Sequence, residues 1–236
     1  MTDTMPDTMR AVALVKIHAF GLNRMDLLQR EGHYPLPPNA PTILGVEFSG
    51  TIVSLPSSPA STTNHHSFEV GSPVFGLAPA APTQTAAVPE TWMTATQALD
   101  FVLGGINDPA SNKKKSILWH AGASGVSIAG IQLSRLAGAE KVFATAGTGE
   151  KCRNVKDVDI GALLFKRVRV EGSTLRSRDE EYQGRLRDRL EEYLPRFESG
   201  ELKVLVDTVL PWEEIVKAHQ LLEENKTMGK IICTIS

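Results

Sequence analysis

The chain has 236 residues, 42% hydrophobic and 22% charged, ordinary usage for a globular protein and enough for one large domain or two small ones. With 25 Lys and Arg against 27 Asp and Glu the net charge is −2, so no global basic field gathers nucleic acid or an anionic membrane. Cys152 and Cys233 are too few for a disulfide framework or an all-thiolate zinc site, no apolar run approaches the roughly 20 residues of a membrane span, and residues 1–10 lack a signal-peptide core; a soluble cytoplasmic protein without nucleic-acid or membrane partners is expected.

The first hundred residues read as short strands and turns. Residues 11–19 form an apolar run broken by Lys16 and His18, residues 43–53 carry Gly45 and Gly50, and residues 70–76 are strand-like between turn formers. Residues 56–67, rich in Ser, Pro and Thr, read as a surface loop. Its His65 and His66 point apart as chain neighbours and have no further ligand nearby, so a solvated loop is expected, not a metal site. From Trp92 the period changes: residues 94–103 are helix-like, Lys113 to Lys115 make a charged turn, and residues 116–120 suit a short buried strand. Residues 124–136 carry Val126, Ile128, Ile131, Leu133 and Leu136 at helical spacing, with Gly138 as the stop, and a second strand follows over 141–145. Later, Tyr182, Leu186, Leu190, Tyr193, Leu194 and Phe197 mark one buried face of a surface helix. A last helix is expected after Pro211, from Trp212 to about Glu224, with Ile215, His219 and Leu222 on one side.

Strand 117–120, the turn Ala121-Gly122-Ala123-Ser124-Gly125-Val126-Ser127, a helix and strand 141–145 together make the opening of a dinucleotide-binding unit. Glycine lets the backbone approach a pyrophosphate, and the helix N-terminus offers it unpaired N–H groups and a positive dipole end. Ser127 stands where the last small residue packs helix on strand. The same pattern also suits a plain strand-to-helix turn in another α/β protein. At the end of the second strand there is no carboxylate for an adenosine ribose. Thr145-Ala146-Gly147-Thr148-Gly149, then Glu150 and Lys151, occupy that corner, where small residues leave room for a 2′-phosphate and Lys151 neutralises it. This favours NADPH over NADH.

Several segments carry a family resemblance. Residues 23–34 (NRMDLLQREGHY), 43–50 (ILGVEFSG), 89–95 (PETWMTA), 120–126 (HAGASGV), 175–179 (LRSRD) and 225–231 (NKTMGKI) together resemble the quinone oxidoreductase branch of the medium-chain dehydrogenase/reductase superfamily, in the family's order and over nearly the whole chain. The resemblance implies an α/β protein: a GroES-like β-rich catalytic domain from residues 1–93 and 204–236, and a truncated Rossmann domain, doubly wound and parallel, from 94–203. It implies hydride transfer from NADPH to a small-molecule quinone or activated alkene, with an enoyl thioester as the runner-up acceptor, and it allows a homodimer. Zinc-dependent relatives place a Cys at Asn23, a His at Val46 and a third ligand near Glu90, so no metal is expected. Acceptors of this kind are already electrophilic, and positioning can supply most of the catalysis.

By family match, Asn23 and Asp26 border the nicotinamide and substrate cleft, Thr94 faces the nicotinamide, and Tyr34 sits beside the cofactor. Ser124, Gly125, Val126 and Ser127 hold the pyrophosphate, Thr148 and Lys151 the 2′-phosphate, and Arg176 and Asn225 approach from the C-terminal side. Plainer roles suit the same residues: Asp26 or Thr94 as a helix cap, Arg176 as an exposed partner of Asp179.

Three stretches of the family pattern are absent. A hairpin is missing between the start of the chain and residues 13–18, and a strand with its loop is missing between residues 78 and 86. Between Lys151 and the late strand 168–172 there is no room for strands three, four and five, since each crossover takes at least about a dozen residues. Losses at element boundaries suit missing exons, an isoform or a wrong gene model. They leave a second reading, a catalytically inactive homologue that keeps the adenosine-phosphate half of the site or pairs with a full-length relative. They also predict an exposed apolar edge at residues 117–119.

Overall fold

The computed structural model describes residues 14–34, 44–55, 68–77, 85–103, 115–145, 175 and 178–236. Strand β1 (Leu14–Leu22) leads through Asn23 into helix α1 (Arg24–Arg30); β2 (Glu47–Ser54) and β3 (Pro73–Leu77) follow. Helix α2 (Pro89–Thr96) starts on a proline, whose missing N–H costs nothing in a first turn. It runs straight into a π-helical turn, Gln97–Val102. The single regular helix expected over 94–103 is thus two pieces. The wider turn sets Gln97 Nε2 3.2 Å from the Tyr182 hydroxyl and Asp100 Oδ2 2.8 Å from Arg189 Nε.

Next come β4 (Ser116–Trp119), α3 (Gly125–Leu136) and β5 (Lys141–Ala144), all within a residue or two of expectation. The long helical pattern of residues 182–197 divides into α4 (Glu180–Glu191) and α5 (Leu194–Glu198). Pro195 accounts for the break: it fits the first turn of a new helix but not the interior of an old one. Strand β6 (Val206–Pro211), a 3₁₀ turn (Trp212–Glu214), α6 (Ile215–Glu223) and β7 (Lys230–Thr234) complete the described chain.

Among the described residues, five strands form one sheet in the order β3-β2-β1-β7-β6. Neighbours are antiparallel except β6 and β7, which run parallel as α6 crosses between them. Two strands from the far end of the sequence therefore complete the sheet begun by the N-terminal ones. Leu22, Leu27, Leu210, Leu222 and Ile231 pack where α1 and α6 cover it. A second core gathers Trp92, Leu99, Leu133, Leu186 and Leu190 from α2, the π turn, α3 and α4.

Among the described residues, β4 and β5 form a separate two-stranded parallel sheet in register, Leu118 opposite Phe143 and Trp119 opposite Ala144. Trp119 faces α3, so alternation turns Leu118 and Phe143 to the other side, where each is 53% exposed. The apolar exposure expected at 117–119 is concentrated on Leu118, since Ile117 and Trp119 pack against the second core. No described helix is long and apolar enough to cross a membrane.

Candidate active site

At the end of β4 the chain turns through Ala121, whose φ is +54°. Gly122 then donates its N–H to Thr145 O at 2.7 Å, and a Cβ on it would lie 2.8 Å from the Ala144 Cβ. Only glycine lets the ends of β4 and β5 meet there. Ser124 is the N-cap of α3, its Oγ accepting from Ser127 N at 3.3 Å. Ser127, bulkier than the small residue expected of such a turn, uses its hydroxyl to donate to His120 O at 2.5 Å and so ties the first helical turn to the strand end. Close packing of helix on strand falls instead to Gly130, over which the Trp119 indole lies while its Nε1 donates to Ser134 Oγ at 3.0 Å. The N–H groups of Gly125 and Val126 head α3, where a helix has no intrahelical acceptor and presents its positive dipole end.

Beside this turn lies a buried charged cluster. Lys230, 4% exposed, donates from Nζ to Leu22 O at 2.9 Å, to Asn23 Oδ1 at 2.7 Å and to Glu47 Oε1, with which it forms an ion pair. Glu47, 2% exposed, also accepts from Asn23 Nδ2 at 2.7 Å and from the Glu90 N–H at 3.0 Å. Gly21 makes room for it, since a Cβ there would lie 2.5 Å from Glu47 Oε1. Two cluster members thus meet a lysine from β7 because β1 and β7 are sheet neighbours.

The predicted site residues divide by what they touch. Asn23, the N-cap of α1, turns its side chain away from its own helix and into this cluster. Asp26, 2% exposed, accepts from Asn23 N at 2.7 Å and Gly45 N at 3.3 Å, so one carboxylate oxygen serves the start of its own helix and the other the segment leading into β2. Burial raises the Asp26 pKa above its usual 3.8, against the opposing pull of its N–H donors and Lys230. Thr94 is half-buried on α2, and Tyr34 is half-buried at the end of its described segment. Asn225, exposed and at φ +56°, accepts from Arg24, which also donates to Leu222 O at 2.9 Å. The structure thus brings Asn225 to the α1 side of the molecule. Thr148, Lys151 and Arg176 lie outside the described residues, as do His65, His66, Cys152 and strand 168–172.

Comparison with known proteins places this geometry. Residues 94–233, more than half the chain, match the profile described as zinc-binding dehydrogenase, and residues 10–107 match that of the alcohol dehydrogenase GroES-like domain. The chain belongs to the zinc-binding dehydrogenase family. Its fold is accordingly the GroES-like plus Rossmann-like pairing of the medium-chain dehydrogenase/reductase superfamily. Mycoketide-CoA synthase of Mycobacterium tuberculosis is 31% identical over 150 residues, 58% of this chain but only 3% of that one. Among solved structures, the human synaptic vesicle membrane protein VAT-1 homolog-like protein aligns at TM-score 0.72 and 21% identity, covering 94% of this chain and 88% of that one. A mycobacterial protein solved with NADPH aligns at TM-score 0.66 and 20% identity, covering 97% and 93%. At these identities the two structures establish the fold.

Sequence reasoning passed over Glu47 and Lys230 as working residues of this dehydrogenase fold. One signal was present in each case: a carboxylate heading the otherwise uncharged strand 47–54, and a lysine heading the apolar run 231–233. Charges in strands buried on both faces are rare unless paired.

Proposed function

We propose that the chain binds NADPH across the turn 121–127 and reduces a quinone or activated alkene without zinc. The observation that carries this reading is the turn itself: glycine where backbone must approach closely, a serine cap, and two leading N–H groups at the positive end of a twelve-residue helix. These residues fit a pyrophosphate. When bound, NADPH supplies the hydride, and a quinone that takes it together with a proton becomes the hydroquinone, leaving NADP⁺. The protein's part is to hold and orient. Ser124, Gly125, Val126 and Ser127 seat the phosphates, while the fixed amide of Asn23 and the hydroxyl of Thr94 border the acceptor. Asp26 acts through Asn23, as the cap that sets its backbone, and not on the reactants. Thr148 and Lys151 take the 2′-phosphate, with Tyr34, Arg176 and Asn225 as outer contacts.

The donor set does not suit zinc. Asn23 already accepts from an ammonium and donates to a carboxylate, Val46 is apolar and buried, and both Glu47 oxygens are engaged. A cation beside the position that zinc-dependent relatives use would repel a second one. An enoyl thioester is the alternative acceptor, since the matched synthase is named for a CoA product. We read the catalytic domain as residues 1–93 with 204–236, the nucleotide domain as 94–203, and the protein as a cytoplasmic homodimer.

The deciding assay follows oxidation of NADPH and of NADH by purified protein with a simple quinone, with and without a chelator. Preferential, chelator-resistant NADPH oxidation supports the reading; NADH preference or loss of rate on chelation overturns its cofactor or zinc-free part. A second reading rests on the short stretch of sequence between Lys151 and Val168: a homologue that binds the adenosine-phosphate half without turnover. NADPH binding with no turnover of quinone, enone or enoyl thioester would select it.

A further inference from the structure

We propose that Lys230 is a positioning residue that locks the pyrophosphate turn to the Asn23 side of the cleft. The assignment rests on the dinucleotide reading above and adds to it a lysine from outside the nucleotide domain. Lysine has three donors, and here all three are used, on Leu22 O, Asn23 Oδ1 and Glu47 Oε1. Its stem lies against the other partner. A Cβ on Gly125 would come within 3.3 Å of Lys230 Cδ and 2.8 Å of Thr91 Cγ2, so the head of α3 rests directly on the lysine.

The residue before it makes the same connection through backbone. Gly229, at φ +88°, donates its N–H to Ala123 O at 2.9 Å and bridges to Ser124. A Cβ on Gly229 would lie 2.1 Å from Leu205 O, so no other residue takes this path without moving the chain. Gly229 and Lys230 thus join four parts: the turn 123–125, the cap of α1, strand β2 through Glu47, and the start of α2 through the Glu90 N–H that Glu47 accepts. Stability alone is a weak reason to keep such a pair, because apolar replacements of buried ion pairs are often neutral or better. Direction is the better reason: two bonds fix the lysine at the junction of β1 and α1, on Leu22 and Asn23, and the third fixes it to Glu47 on β2.

The test compares wild type, Lys230→Met and the double variant Lys230→Met with Glu47→Gln, which removes both buried charges and guards against misfolding of the single variant. Two readouts are taken: amide hydrogen exchange at Gly122, Ser124, Ser127 and Gly229 without cofactor, and titration with NADPH and NADH. In the folded double variant these four amides are expected to exchange about tenfold faster, with Leu186 and Leu190 in α4 unchanged. Both cofactors are expected to weaken by a similar factor, about tenfold, since the pyrophosphate is common to them. Unchanged exchange at the four sites, or acceleration at α4 as well, overturns the assignment. Should wild type bind neither cofactor, the functional proposal fails while the exchange readout still decides the role of Lys230.

Discussion

Replacing Gly130 with alanine inside α3 sets two effects of opposite sign against each other. Alanine is the better helix former by about 1 kcal/mol. At Gly130, however, its Cβ would lie 2.2 Å from Trp119 Cζ2 and 2.3 Å from Cε2 and Cη2, where contacting carbons normally stand roughly 3.5–4.0 Å apart. The ring must retreat by more than an ångström, which breaks the Nε1 bond to Ser134 Oγ. Overpacking of this kind costs about 1–3 kcal/mol and the lost bond about 0.5–1.5 kcal/mol. Net of propensity, Gly130→Ala should destabilise by about 0.5–3.5 kcal/mol. Gly184, in α4 with nothing within 4 Å of its would-be Cβ, is the matched control and should gain about 0.5–1 kcal/mol as alanine. Urea unfolding followed by tryptophan emission measures both. A Gly130→Ala protein as stable as Gly184→Ala, with its emission unmoved, would refute the seating of Trp119 on α3.

Asp26→Ala strips the acceptor from two backbone N–H groups, Asn23 at the head of α1 and Gly45 before β2, and should cost about 2 kcal/mol in urea unfolding. Because burial raises the folded-state pKa of Asp26 above 3.8, the cost of its buried charge is present at higher pH and is relieved as pH falls from the folded pKa toward 3.8. Wild type should therefore gain on Asp26→Asn across that window, and a constant difference would exclude the titration. Cys233 is fully buried and its thiol is pushed up to about 11; in a Cys152→Ala background a thiol reagent at pH 8 should find no reactive sulfur until denaturant is added. Lys151→Ala should weaken NADPH roughly tenfold to a hundredfold and leave NADH nearly unchanged, and equal losses in paired titrations would reject the 2′-phosphate role.

What was readable in the sequence was what depends on near neighbours. Ser124 announces α3 because a cap and its N–H donor are three residues apart, and Gly122 announces the turn because backbone sterics are local. The π turn after Thr96 escaped because Gln97 and Asp100 are held there by Tyr182 and Arg189, partners more than eighty residues away. Glu47 and Lys230 escaped for the same reason on a larger scale, being 183 residues apart. Asp26 was legible as a residue of interest but not as to its use. A carboxylate at the third position of a helix suits a cap or a cleft equally well, and the capping contact is visible only once Asn23 N and Gly45 N are in place.

The strand order has a consequence for how the protein is made. Strand β1 lies between β2 and β7, so on the ribosome it emerges early and waits for one of its two partners. At ordinary elongation rates of about 5–20 residues per second, Glu47 precedes Lys230 by roughly ten to forty seconds. Throughout that interval the nascent sheet presents an open edge and a carboxylate with no cation to meet it. Chaperone occupancy of nascent chains should accordingly persist until β7 clears the exit tunnel. Synonymous codons that slow the stretch between α2 and β6 should lower soluble yield without changing a single side chain.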